Sequence, residues 1–436
     1  MKKPEKVNIF WFRRDLRLDD NVGLYHALNS NLPVLPIFIF DTEILDKLPK
    51  KDARVTFIHN TLQSLRETLQ QDYKSSLAIY KGKPLEVYKQ LVNTYHIETV
   101  FTNHDYEPYA RTRDKDISEF LSSNAIAFKT YKDQVIFEKD EVVKKDGKPY
   151  MVYTPYFRMW KENFKTLDFK IYDTESLLTH TFSDSELPNL SLTEIGFEAS
   201  SQDIKPYNVS SKLIQDYEAT RNFPAMDNTS RLGPHLRFGT VSVRKMMQKA
   251  MAEENDTFMK ELIWREFFMQ ILWHFPHTKD QSFKAKYDRI EWRNNEDEFK
   301  KWCDGQTGYP LVDAGMRQLN ETGFMHNRVR MLVGSFLCKH LLIDWRWGEA
   351  YFAEKLHDYD MSSNIGNWQW VAGSGVDAAP YFRIFNPTTQ ILKFDKQLDY
   401  IKKWVPDFQE LTYPQPMVDH KIARERCLET YKSAIN

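Results

Sequence analysis

KVNIFWF (Lys6–Phe12) runs straight into RRDLRLDDN (Arg13–Asn21). The first stretch is a short apolar run rich in β-branched and aromatic residues, the pattern of a strand buried on both faces. The second contains no glycine. A dinucleotide fingerprint needs glycines at this strand-to-helix turn so that the backbone can approach a pyrophosphate. The two stretches together predict the first strand of a doubly wound sheet that lacks that nucleotide site.

Outward from this strand the pattern repeats. LPVLPIFIF (Leu32–Phe40) is a second apolar run, and Leu77–Tyr80, Glu98–Thr102 and Ile126–Thr130 are shorter ones. Helical patterns fall between them. Over Asp52–Gln71, Ile58, Leu62, Leu65 and Leu69 recur at spacings of four, three and four, giving one apolar face. Pro84–Tyr95 opens on a proline, which suits a first helical turn, and Arg111–Ser122 is a third helical pattern. Strands alternating with helices through short links predict a parallel sheet covered on both faces.

From about Thr166 to Asn208 the periodicity fades into Ser, Thr, Asp, Glu and Pro, as in SDSELPNLSLTEIG, which reads as a surface connector. Past Val209 the strand signals stop. MKELIWREFFMQILWHF (Met259–Phe275) sets Trp264, Phe268, Ile271 and Phe275 on one stripe and Glu261 with Arg265 on another. FMHNRVRMLVGSFLCKH (Phe324–His340) is helical too, with Asn327, Arg330 and Met331 on one face. The expected fold class is α/β plus all-α. A doubly wound parallel-sheet domain covers 1–135, an interdomain connector 136–208 and an all-helical domain 209–436.

Composition narrows the function classes. With 436 residues, 42% hydrophobic and 28% charged, the chain is a multidomain globular protein and not a disordered one. A net charge of −1 excludes a global basic field, so any hold on nucleic acid must come from a local patch. Cys303, Cys338 and Cys427 are odd in number and far apart, which gives neither a disulfide framework nor a zinc site and points to a reducing compartment. The N-terminus is basic without the apolar run of a signal peptide, and no segment reaches the roughly 20 apolar residues that span a bilayer. The chain reads as cytoplasmic, with no membrane partner. Nine of the eleven Trp lie at or beyond Trp264, so the two ends of the chain have different work.

Two stretches carry groups for chemistry. DYDMSSNIGNWQW (Asp358–Trp370) and DAAPYFRIFNPTTQ (Asp377–Gln390) interleave carboxylates, amides and aromatic rings too closely for a plain core helix. They read either as a wall that hydrogen-bonds and stacks on a flat polar ligand or as a loop-rich packing corner. Asp358 and Asp360 lack a third ligand at metal spacing; they would accept hydrogen bonds from a ribose or ring N–H, or pair with an Arg. NTSRLGPHLRFG (Asn228–Gly239) offers hydroxyls and free amides, either as a phosphate cradle or as an ordinary helix cap. Arg221 to Lys249 holds six basic residues and one acidic, a patch for polyanions or a solvated helix face. His235, His274 and His326 each stand alone and default to core or surface roles.

With these motifs assembled, the chain resembles the photolyase/cryptochrome family, and within it the class I DNA photolyases that act on cyclobutane pyrimidine dimers. FWFRRDLRLDDN (Phe10–Asn21), TSRLGPHLRFG (Thr229–Gly239), ELIWREFF (Glu261–Phe268), GYPLVDAGMRQL (Gly308–Leu319), MHNRVRM (Met325–Met331), DYDMSSNIGNWQW and YFRIFNPTTQ are similar to that family's motifs in order and spacing. The resemblance runs from about Val7 past Gln390.

The resemblance implies FAD in the helical domain and DNA containing pyrimidine dimers as partner, with the protein acting as a monomer. Tyr217, Thr229, Ser230, Arg231, Leu232 and Gly233 would hold the flavin's phosphates and adenosine side; Gly233 replaces a usual Ser. Arg330, Asp358, Tyr359, Asp360 and Asn364 would surround its ring. The implied reaction is light-driven repair, by electron transfer from excited reduced FAD to a flipped-out dimer. Glu261 would hydrogen-bond the flipped pyrimidine carbonyls, Trp264 would stack on the lesion, and Asn327 and Met331 would line the same cavity. Arg221, Arg328, Arg383 and Gln390 would grip the DNA backbone. Trp368, Trp345 and Trp292 match the family's electron-transfer chain. A six-four photolyase uses a His pair where this chain has Met325-His326-Asn327, and plant-type and many animal-type cryptochromes differ at the position of Asn364. Tyr109 and Ala110 depart from the amide and carboxylate of folate-binding relatives, although Lys279 matches their lysine. A second antenna chromophore therefore stays open between folate, a deazaflavin, another flavin and none.

Overall fold

The structure, a computed structural model, describes residues 6–435 and divides into two compact units. The basic start of the chain, Met1–Glu5, lies outside the described residues.

The first unit holds a five-stranded parallel sheet. Its strands are β1 (Lys6–Phe12), β2 (Val34–Asp41), β3 (Ala78–Gly82), β4 (His96–Asn103) and β5 (Ala127–Tyr131), in the order β3-β2-β1-β4-β5. β1 pairs with both β2 and β4, Ile9 lying opposite Leu35 on one side and Val100 on the other. All eight residues of β2 are buried, as a strand covered on both faces requires. The helices between strands are α1 (Val22–Leu28), α2 (Ala53–Tyr73), α3 (Pro84–Thr94) and α4 (Pro108–Ser123). Asp52 caps α2 by accepting the Arg54 N–H at 2.8 Å, and Pro84 and Pro108 open the next two helices.

The order reverses between β1 and β4, where an open α/β sheet ordinarily seats a ligand beyond its strand ends. Here the turn is filled by side chains. Asn103 donates to Asp15 at 2.6 Å and to Asn21 at 2.8 Å, and accepts the Gly23 N–H at 2.8 Å. Arg13 pairs with Asp114 at 2.5 Å and Arg17 with Asp133 at 2.7 Å. A buried polar network with its members paired takes the place that glycines and phosphate hold in a dinucleotide fold.

The stretch expected as an interdomain connector over 136–208, with its part from about Thr166 on the surface, is divided between the units. Lys139–Glu162 belongs to the second unit and Asn163–Tyr207 to the first. The latter is more than surface: Leu178, Leu187, Ile195 and Phe197 are buried in the first unit's cores. Arg66 binds this strap through the carbonyl oxygens of Leu187 at 2.7 Å and Pro188 at 3.3 Å. Its apolar residues fall at irregular intervals on irregular backbone, so no periodic signal announced them.

The second unit is built of helices. Those that shape its site are α5 (Tyr153–Thr166, entered at Tyr153), α6 (Ser211–Thr220), α7 (Thr257–His274), α8 (Asn327–Ser335), α9 (Trp345–Lys355), α10 (Met361–Ala372) and α11 (Pro387–Phe394). The helix expected over Phe324–His340 starts only at Asn327, capped by His326, and passes into a π-turn at Phe336–His340. Helical glycines set the crossings. A Cβ on Gly348 of α9 would lie 2.1 Å from the Trp368 ring of α10, and one on Gly366 of α10 would lie 2.2 Å from the Phe268 ring of α7. Gly348→Ala is therefore expected to cost about 3 kcal/mol, because neither ring nor backbone can retreat from a packed core. Denaturant unfolding measures it; a stability unchanged within error would show the crossing is looser than drawn.

Candidate active site

α9 and α10 are joined by Asp358-Tyr359-Asp360, and this link fixes several side chains at once. Asp360 caps α10, accepting the Ser363 N–H at 3.2 Å and a short bond from the Ser362 hydroxyl. Asp358 instead meets Arg330 of α8 in a two-pronged pair, Nη2–Oδ2 at 2.9 Å and Nη1–Oδ1 at 3.2 Å. Arg330 also gives its Nε–H to the Met325 carbonyl at 2.7 Å, so the guanidinium is held at three points. Asp358 thus makes the Arg pair that the sequence left open, whereas Asp360 caps a helix, which the sequence reading did not foresee.

Asn364, buried on the first turn of α10, gives its amide N–H group to Glu349 of α9, at 2.9 Å to Oε1 and 3.1 Å to the backbone oxygen. The amide oxygen is left to act as an acceptor. Burial pushes the Glu349 carboxyl up, and bonds from Asn364 and Tyr359 pull it partly back. Nothing in WRWGEAYF marked Glu349 in advance. It lies 15 positions from Asn364, and only the α9–α10 crossing brings them together.

A second wall comes from the loop before Leu232. Arg231 adopts the left-handed conformation at φ +55°, lays its guanidinium 3.6 Å from the centre of the Phe324 ring and pairs with Asp227. This stack sets the loop against the start of α8. The Thr229 hydroxyl is buried without a hydrogen-bond partner. So is Nε2 of His326, whose Nδ1 accepts the Arg328 N–H at 3.2 Å and thereby leaves the ring proton on Nε2. Burial, then Arg330, Arg231 and Arg328, push this imidazole down to about 4, so it is neutral at working pH. Two buried polar atoms without partners on converging segments fit a polar ligand, since such atoms are otherwise satisfied. Leu232, buried, and Gly233, exposed, begin the short helix Gly233–Phe238 in the first unit.

The third group faces outward. Tyr217 on α6 lies under the Arg221 guanidinium at 5.6 Å, and Arg221 pairs with Glu261 of α7 in a short bond. Burial and the Glu261 carboxylate push the Tyr217 phenol up to about 12. Arg328 donates to Asn222 at 2.5 Å and rests 4.4 Å from the Phe394 ring of α11, the helix that also carries Gln390. Arg383 lies over Phe385 at 5.4 Å, and both it and Asn327 are exposed. Burial, Arg221 and Arg383 together lower Arg328's hold on its proton, so the three guanidinium groups share one field. Met331 and Trp264 are half-buried beside them in the sequence of α8 and α7. The basic run Arg221–Lys249, by contrast, is not one patch. Arg244 is buried with Asp20 and Asp133, Lys245 pairs with Asp19, Arg237 with Glu107 and Arg231 with Asp227.

The tryptophans take different depths. Trp368 is buried on α10 against Gly348, one turn along α9 from Trp345. Trp345 is buried with its indole N–H unpartnered and Arg346 over its ring at 4.8 Å, and Trp292 is half-buried, edge-on to Tyr431 at 6.0 Å. His235 and His274 are structural, bonded to Thr240 and Lys205 and to Lys139 respectively.

Residues 258–412 match the family described as the FAD binding domain of DNA photolyase, and residues 8–175 match DNA photolyase. A deoxyribodipyrimidine photo-lyase of Agrobacterium fabrum is 35% identical, over 97% of this chain and 97% of its own. The chain belongs to the photolyase/cryptochrome family. Among solved structures, a bacterial class III photolyase from Agrobacterium tumefaciens superposes with a TM-score of 0.87 at 33% identity, covering 100% of this chain and 98% of that one. A Synechocystis cryptochrome superposes at 0.84 with 26% identity, over 99% of this chain and 100% of its own. FAD is the cofactor of this family fold, and the unpartnered Thr229 hydroxyl and His326 N–H fit its presence. No helix among the described residues is long and apolar enough to cross a membrane.

Proposed function

We propose that the protein repairs cyclobutane pyrimidine dimers in DNA, driven by light. When bound in its reduced form, FAD supplies a light-excited electron donor. The chain's residues do the rest. Arg330, locked by Asp358, supplies positive charge beside a ring that is anionic when reduced. Asn364 offers an acceptor oxygen to a ring N–H, and its orientation is fixed by Glu349. Thr229, Ser230 and Arg231 would supply polar groups for the phosphates, and Tyr217 would serve the adenosine side. Trp368, Trp345 and Trp292 carry an electron inward to restore the reduced state: the first two are shut off from water, and the half-exposed Trp292 can lose its indole proton to solvent.

The observation that carries the reading is the Glu261–Arg221 pair beside the half-exposed Trp264 ring. A pyrimidine pair flipped from the duplex, at a cost of a few kcal/mol, needs a stacking face and a partner for its edge. The Glu261 carboxylate accepts from a ring N3–H; it reaches a C4 carbonyl only when protonated. Arg221, Arg328, Arg383 and Gln390 hold the backbone, each true phosphate contact adding about 0.9 to the salt slope of binding. A six-four lesion would ask for a His pair, and the one His of this segment is the buried α8 cap. The cryptochrome likeness keeps light signalling as the rival reading. Glu261→Ala is expected to lower the rate of dimer repair about tenfold more than it lowers affinity, the loss of one charge-assisted hydrogen bond. Repair per photon at saturating DNA checks this; equal loss in both would assign Glu261 to binding alone. Tyr109, where folate-binding relatives differ, is tied to Asp41 at 2.6 Å at the start of α4.

A further inference from the structure

The Tyr153 ring lies parallel to that of Trp264, with centroids 3.7 Å apart and planes 7° from coplanar. Aromatic pairs left to themselves avoid full face-to-face overlap because their quadrupoles repel, and prefer offset or edge-to-face contact. Phe267 meets both rings edge-on, Trp264 at 82° and Tyr153 at 77°, while Phe157 stacks on Tyr153 at 19° and Phe268 tilts 31° from Trp264. The Tyr153–Trp264 stack is the tightest of these contacts, and two hydrogen bonds hold Tyr153 in it. The Tyr153 hydroxyl donates to the Lys260 carbonyl at 2.9 Å, one turn ahead of Trp264 on α7 and next to Glu261. The Tyr153 backbone N–H donates to Asp377 Oδ2 at 3.1 Å. Asp377, at φ +47°, begins the loop that carries Arg383.

We propose that Tyr153 is a positioning residue for lesion capture, the buried second layer of a stacking platform whose outer layer is Trp264, and that it ties this platform to the base of the Arg383 loop. The proposal rests on the repair reading above and deepens it. Tyr153 is 8% exposed, whereas Trp264 is only partly buried, so the indole is backed by Tyr153 and still reaches solvent, where a base could meet it. Base–aromatic stacking depends on how flat and fixed the ring is, and a ring clamped from behind loses less freedom when a base arrives. Burial, and then the Glu261 carboxylate, push the Tyr153 phenol far up, so its hydroxyl remains a donor at any working pH. The platform's inner layer thus comes from a stretch of chain whose sequence shows no lesion-binding motif.

Dissociation constants are measured on the FAD-loaded protein for a duplex with one thymine dimer and for the same duplex undamaged. Tyr153→Leu should weaken dimer binding about tenfold while undamaged binding holds within about twofold. Tyr153→Phe, which retains the ring, should recover most of the loss. In a Trp264→Ala background Tyr153→Leu should add almost nothing, since it acts through that ring. Equal weakening on both duplexes, no weakening, or full additivity with Trp264→Ala would overturn the proposal. If Tyr153→Leu does not fold, Tyr153→His replaces it, with an intermediate loss expected and none overturning. A wild-type protein that binds both duplexes alike would reject the repair reading itself; one that prefers the dimer regardless of position 153 rejects only this inference.

Discussion

Arg330→Leu is expected to weaken FAD binding by roughly a hundredfold, equivalent to ~2.7 kcal/mol. The wild-type guanidinium makes two bonds to Asp358, at 2.9 and 3.2 Å, and a third to the Met325 carbonyl at 2.7 Å. Truncation leaves the Asp358 carboxylate, with a side chain only 19% exposed, without its partner. That unpaired charge is a cost to folding, about 3–5 kcal/mol for a fully buried pair and less at this partial exposure, and it is read in unfolding and not in FAD affinity. The flavin also loses the positive charge that offsets its reduced form. Arg330→Lys retains the charge but not the fork, so an intermediate loss of about tenfold is expected. Fluorescence titration of apoprotein with FAD measures both. A Leu variant that purifies with its full complement of flavin would remove Arg330 from the cofactor site.

Trp368→Phe should slow light-driven reduction of the oxidised flavin at least about a hundredfold, a barrier rise of ~2.7 kcal/mol. Phenylalanine keeps an aromatic ring but is far harder to oxidise than an indole. The ring volume falls, and so does the pressure on Gly348, so some cavity cost is expected in stability; unfolding measured alongside separates the two effects. Repair by protein reduced chemically beforehand should stay within about twofold, because that electron enters without the tryptophans. Loss of both activities together would make Trp368 a cofactor-seating residue and not an electron carrier.

Much of this architecture was readable in advance, for stated reasons. Buried parallel strands are apolar throughout, and KVNIFWF and LPVLPIFIF became β1 and β2. The proline at Pro84 marks a helix start by a local rule that needs no tertiary context, whereas the helix expected from Arg111 begins three residues earlier, at Pro108. The stretch after β1, read as lacking the glycines of a nucleotide turn, holds the Asn103 network. What stayed hidden depends on contacts between distant segments. Glu349 has no local signature, and Gly348 and Gly366 look like helix-weakening residues until the crossing helices show why no Cβ fits. The strap over Asn163–Tyr207 buries scattered apolar residues without a period. The run Arg221–Lys249 counted charges correctly but could not show that Asp20, Asp133, Asp19 and Glu107, far away in sequence, would pair with three of the six, Arg244, Lys245 and Arg237. Tyr153 was invisible for the same reason, since its partner lies 111 positions on.

The central claim is that a light-activated flavin in the second unit acts on a two-base lesion held by Glu261 and Trp264. The direct measurement is repair by the reduced, FAD-loaded protein of two oligonucleotides, one carrying a cyclobutane thymine dimer and the other a six-four photoproduct, in blue light and in darkness. Restored thymines are expected from the cyclobutane substrate alone, and only in light. Repair of the six-four substrate, or binding of FAD with no light-dependent change in either lesion, would contradict it.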